Sequence, residues 1–85
     1  MAWIGETIIV GSEATLLLNS NINQKRRELK NVGSDIVFIG SNNSVQDSNG
    51  FPLRPLETIS IGDYNGTIYG ITTDSLNRVT VFEDE

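Results

Sequence analysis

A small all-β protein, an antiparallel β-sandwich or jelly-roll-like barrel of seven to eight short strands, is predicted by three features of these 85 residues. Ile, Val and Thr number 10, 6 and 7 against two Ala. Their β-branched side chains fit a pleated sheet and lose rotamer freedom in a helix. Eight Gly and nine Asn are scattered between the apolar runs, where such residues favour tight turns. The runs themselves recur at roughly 8–12-residue spacing, the pattern of a sandwich or small barrel. A chain of this length forms one small domain with a thin core. It has no Cys to brace that core with disulfides or thiolate-bound metal, so self-association is the reinforcement left.

Met1–Glu6 reads as a short N-terminal lead (residues 1–6) that carries Trp3 and Ile4. Thr7–Val10 and Ala14–Leu18 are two strands parted by Gly11–Ser12–Glu13, and Asn19–Gln24 is a polar loop. Lys25–Asn31 has a composition that could start a helix, but about seven residues bounded by loops are marginal for a helix in water. As a strand it places Arg27, Leu29 and Asn31 on one face and Glu28, Lys30 and Val32 on the other. A tight turn at Val32–Asp35 leads into Ile36–Ile39, apolar on both faces and hence central. Gly40–Ser44 is a loop and Val45–Asp47 a short strand, followed by a turn at Ser48–Gly50 of the kind Asn-Gly favours. Phe51–Pro55 holds both prolines and is expected as an extended, polyproline-like connection. Glu57–Ile61, Thr67–Thr72 and Arg78–Phe82 complete the strands, with turns at Gly62–Gly66 and Thr73–Asn77.

Charge and composition narrow the function. The chain has 11 acidic and 6 basic residues, a net charge of −5, and no His. The commonest general base and metal ligand is therefore missing, and no nucleophile, phosphate-loop or dinucleotide pattern occurs. Four of the six bases fall within Lys25–Lys30. One short basic run in an acidic chain does not supply the many phosphate contacts of a nucleic-acid binder. No stretch approaches the ~18–20 apolar residues of a membrane span, and no leader pattern opens the chain, which is expected to work as translated.

Few residue groups suggest chemistry. Arg26, Arg27 and their neighbours could meet an anionic partner surface, or could be the charged solvent side of a strand that resists edge pairing. Asp47–Ser48–Asn49–Gly50 resembles half of a calcium loop but lacks the remaining oxygen ligands. The carboxylate pairs Glu57 with Asp63 and Asp35 with Asp47 have nothing to fix their separation. Trp3, Phe51, Tyr64 and Tyr69 could form a sugar-stacking platform, or pack as core and rim. Asn42–Ser44 and Asn65–Thr67 match the glycosylation pattern, a coincidence expected in so Asn-rich a chain. No catalytic residue, metal site or cofactor is assigned.

From Arg26 onward the chain resembles a family of small tailed-phage virion proteins. The matching stretches are Arg26–Ser34 (RRELKNVGS), Ile36–Gly40 (IVFIG), Asn49–Leu53 (NGFPL) with Pro55 and Glu57, and Asp63–Ile71 (DYNGTIYGI). Together they fall within residues 26–71, a little over half of the chain. The chain departs at Asn31, where similar sequences more often carry an apolar residue, which leaves the inward face of that strand open.

The resemblance implies a non-enzymatic structural component of the virion: a capsid decoration (cement) protein, or a part of a tail or head fibre. The partner would be the major capsid protein or another virion protein, with neither nucleic acid nor membrane involved. Homo-oligomers favour closed cyclic symmetry, and a capsid threefold position would favour a trimer. Trp3 and Ile4 in the N-terminal lead are candidate capsid contacts, as are Arg26 and Arg27. Trp3 could anchor the lead as an aromatic hot spot, or cap the domain's own core. A carbohydrate-binding module for host adhesion is the alternative of a different class.

Overall fold

The computed structural model describes residues 3–19, 26–61, 66–73 and 76–84, with the side chains at 3, 4, 26, 83 and 84 outside that description. It contains eight strands: β1 (Trp3–Val10), β2 (Thr15–Leu18), β3 (Arg26–Asn31), β4 (Val37–Gly40), β5 (Phe51–Leu53), β6 (Thr58–Ile61), β7 (Ile68–Ile71) and β8 (Asn77–Asp84). No helix occurs among the described residues. Two four-stranded sheets pack together, in the orders β1-β8-β3-β6 and β2-β7-β4-β5.

The topology is a folded hairpin. β1 pairs with β8, β2 with β7, β3 with β6 and β4 with β5, all antiparallel, as if one long hairpin had been wrapped on itself. Pairing of β8 with β3 and of β7 with β4 then closes the wrapped ribbon into two sheets. This is the strand order of a jelly roll, built here from strands of three to eight residues. The all-β sandwich expected from the sequence is therefore what forms.

The core lies between the sheets. Leu29, Val79, Val81 and Val10 come from the first sheet, and Leu17, Leu18, Val37, Ile39, Leu53 and Ile68 from the second. Ile8, Ile59 and Ile61 pack at its margin. β2 contributes two adjacent leucines because a bulge interrupts its pairing with β7 between Leu16 and Leu18. The bulge breaks strict alternation, so Leu17 and Leu18 are both buried while Leu16 stays out. Gly70 makes room for this, since a Cβ there would lie 2.8 Å from Leu17 Cδ1.

Strands this short close a core only a few residues deep, and polar groups seal both of its ends. Arg27, Leu29 and Asn31 share the inward face of β3, and all three are buried. At one end Arg27 Nη1 donates to the carbonyls of Asn19 at 3.1 Å and Gly66 at 2.9 Å, tying β3 to the loops flanking β2 and β7. At the other end Asn31 Nδ2 donates to the carbonyls of Asp35 and Leu53, while its Oδ1 accepts from Gly33 N and Asn77 Nδ2. Asn77 Oδ1 accepts in turn from Asp35 N. The two amides thus satisfy the backbone where the chain crosses between sheets.

Several boundaries differ from the sequence expectation. Residues 3–6 are not a separate lead, because β1 starts at Trp3 and pairs with β8 along its whole length. Phe51–Leu53 is a strand rather than a connection, and Pro52 is tolerated because β5 is an edge strand. Val45–Asp47 is loop, although Val45 is buried. β4 lies between β7 and β5, which agrees with its apolar faces. Among the described residues no Gly has positive φ; the one left-handed residue is Leu56, at φ 69°. Gly50 serves for space instead, since a Cβ there would stand 2.7 Å from Phe38 Cβ.

Candidate interaction face

The two outer faces of the sandwich differ in chemistry. On the first sheet the outward rows are Gly5–Phe82–Glu28–Ser60 and Thr7–Thr80–Lys30–Thr58. Phe82 lies over Gly5, whose Cβ position is 3.1 Å from Phe82 Cε1, an aromatic ring covering a glycine on the edge strand. Ser60 Oγ donates to Glu28 Oε2 at 3.0 Å, and the Thr7 and Thr80 hydroxyls are hydrogen-bonded at 3.2 Å. The next row pairs exposed Arg78 with Ile9, 59% exposed, so this face carries charged and hydroxyl groups with an isoleucine near one end.

The second sheet has no charged residue in any of its strands, which read TLLL, IYGI, VFIG and FPL. Its outward positions follow from register. Leu16, Tyr69 and Gly40 form one row, and Ile71, Phe38 and Pro52 the next. Leu16 is 38% exposed, and Tyr69, Phe38, Ile71 and Pro52 are half-buried. Ile36, 37% exposed, extends the patch just before β4. An antiparallel sheet that faced only water would alternate apolar and polar residues. Here both sides of the sheet are apolar.

Part of that face is covered by the chain itself. The loop at 41–50 folds back so that Val45 sits on Gly40, where a Cβ would come within 2.7 Å of it. Asparagines hold the loop in shape. Asn42 Oδ1 accepts from Ser44 N at 2.9 Å, and Asn49 Oδ1 accepts from Gln46 N at 2.8 Å. Thr67 Oγ1 donates to Ser41 O at 3.0 Å and moors the loop to the start of β7. A shallow polar hollow lined by Ser41, Asn42, Ser44 and Asn49 results on one side. Ser34, Asp35 and Thr73 border a second hollow beside Ile36 and Phe38. An apolar centre with a mostly uncharged polar rim is the anatomy of a protein-contact surface.

The sequence-derived contact residues fare differently. Register sets Trp3 and Arg26 on either side of Asp84, and Ile4 and Arg27 on either side of Glu83, so the four converge at one end of the first sheet. The side chains of Trp3, Ile4 and Arg26 lie outside the described residues. Arg27 is no surface contact: it is 1% exposed and bonded to two backbone carbonyls. It shares its face with Leu29, which was the signal in the sequence. Lys30 points to the opposite face of β3 from Arg27, so the basic run is divided between core and surface.

The other candidates separate similarly. Tyr69 lies on the outer face of the second sheet, Phe51 pairs with Ile39 and so takes the other face, and Trp3 belongs to the first sheet. Tyr69 and Phe51 therefore share no stacking platform, while the Trp3 side chain and Tyr64 lie outside the described residues. Glu57 Oε1 accepts from Arg54 N at 2.7 Å within a turn. Asp63 lies outside the described residues. Sequence reasoning missed the uncharged face because apolar character on both sides of Ile36–Ile39 was read only as a sign of central position, and Thr67–Thr72 was read as a strand with no face assigned. Compared with protein-family models, curated proteins and solved structures, the chain matches none.

Proposed function

We propose that this chain is a non-enzymatic structural protein of a tailed-phage virion, a capsid decoration protein that docks its uncharged sheet face on the head shell. The observation that carries the reading is the segregation of charge: every charged strand residue lies in the first sheet, and none in the second. A decoration protein must stay dissolved when free and bury apolar surface when bound. A charged outer face and an apolar outer face on one thin sandwich meet both needs. The family resemblance of residues 26–71 supports the virion as the location and the major capsid protein as the partner.

The size of the face argues for action as an oligomer. Four strands about 4.8 Å apart and about four residues long present a footprint of roughly 250 Å². Specific interfaces use about 800 Å² per partner. Copies joined to one another bind a repetitive shell with the gain of multivalency. The test is addition of the purified protein to heads from the encoding phage that lack it. It should sediment with those heads in saturable amount and raise their resistance to heat. Failure to sediment with heads, tails or fibres would remove the virion reading altogether.

A further inference from the structure

Each sheet has two edges, and three of the four are guarded against pairing. β2 is bulged at Leu17, β5 contains Pro52, and β1 carries Glu6 at an inward register position where it remains exposed. Bulges, prolines and inward-placed charges are the usual devices that stop an edge from adding a strand. β6, Thr58–Ile61, has none of them along its length: its sequence TISI holds no proline and no charge, and its register with β3 is unbroken, the bulge at Leu56 and Glu57 lying before it. Its hydrogen-bond phase is set by Asn31 N donating to Glu57 O at 3.0 Å. Bonded pairs alternate along an antiparallel ladder, so Ile59 and Ile61 bond to β3 while Thr58 and Ser60 turn their N–H and C=O groups outward. Both of these residues are exposed.

We propose that β6 pairs with β6 of a second copy, antiparallel, about a two-fold axis at Ile59. In that register Thr58 exchanges both backbone hydrogen bonds with Ser60 of the second copy, and Ser60 with its Thr58. All four outward groups are then satisfied. A shift of one residue would set outward groups against inward ones, and a shift of two would carry the pairing past the end of β6. The chain has net charge −5, so two copies meet with least repulsion along an uncharged strand.

The pairing keeps like faces together. Ile59, half-buried at the core margin, faces its counterpart across a non-bonded pair, where side chains come closest. The open groove that runs between β5 and β6, lined by Phe51, Leu53 and Ile59 with the oppositely charged Arg54 and Glu57 at its turn end, abuts the same groove of the second copy. Because the axis stands perpendicular to the sheet, the first sheets merge into one of eight strands. The two uncharged outer faces then lie side by side, doubling the footprint of one copy. The pairing does not depend on the virion reading, and its two-fold symmetry replaces the trimer expected from the resemblance.

Light scattering on a sizing column tests it with the full chain at micromolar concentration. Wild type should run as two copies of the 9.3 kDa chain, and Thr58→Pro, which deletes an outward N–H, as one. Thr58→Lys should also halve the mass, and it decides the matter if circular dichroism shows that Thr58→Pro has not folded. Ile59→Cys should form an intermolecular disulfide under mild oxidation, in a chain that otherwise has no Cys. A wild-type monomer, a trimer, or a dimer unchanged by the folded Thr58 variants would overturn the proposal.

Discussion

Asn31 and Asn77 explain how a core this thin tolerates buried amides at one of its ends. Both are almost wholly buried, at 0% and 3% exposure, and their side chains pair with each other at 2.8 Å while bonding backbone groups of Gly33, Asp35 and Leu53. Gly33 is required beside them, since any side chain there would overlap Asn77. An unsatisfied buried polar group costs about 1–3 kcal/mol. Asn31→Leu keeps the branched shape of the side chain and strands Leu53 O, Gly33 N and part of Asn77. It is expected to lower unfolding stability by about 3 kcal/mol in urea titration, a large share of the roughly 5–15 kcal/mol of a typical domain. An unchanged midpoint would mean that the network adds nothing. Alternation along the sequence did place Arg27, Leu29 and Asn31 on one face. It could not say that a guanidinium and an amide would point inward, because partners such as Gly66 O, Leu53 O and Asn77 Nδ2 come from parts of the chain distant in sequence.

At the scale of elements, the turn between β5 and β6 carries the one left-handed residue among those described. Glu57 N donates to Arg54 O at 3.0 Å, closing a turn with Pro55 at its second position and Leu56 at its third. Leu56 N then bonds Asn31 O at 2.7 Å while Asn31 N bonds Glu57 O, so two residues oppose one. This is a bulge whose first residue is left-handed, a place that favours Gly. Leu56 occupies it at φ 69° with its side chain 73% exposed. A left-handed residue with a Cβ costs roughly 1–2 kcal/mol, partly offset by the greater chain entropy that Gly loses on folding. Leu56→Gly is therefore expected to raise stability by about 0.5–1 kcal/mol in the same titration. A decrease would show that Leu56 packs in the folded state. The strand positions themselves were largely legible, because β-branched alternation survives in single segments such as Thr58–Ile61. The early start of β1 was not, since Gly5 and Glu6 interrupt its pattern and only pairing with β8 holds it. Nor was β5, whose Pro52 is acceptable only at an edge, a property of the assembled sheet.

For the whole molecule, the division of charge between two sheets is the feature that decides what the sandwich can do. No local pattern revealed it. It appears only when β2, β7, β4 and β5, drawn from separate parts of the chain, are placed side by side. The faces can be compared in one experiment, by adding the same charge to each. Leu16 and Thr80 occupy outward positions on the second and first sheets, and neither belongs to the buried core. Leu16→Lys and Thr80→Lys should both fold. Co-sedimentation of each with undecorated heads is the measurement that matters most. Leu16→Lys should lose binding by at least tenfold, the effect of about 1.4 kcal/mol, while Thr80→Lys binds as wild type does. Equal binding by the two folded variants, or loss confined to Thr80→Lys, would contradict docking through the uncharged face.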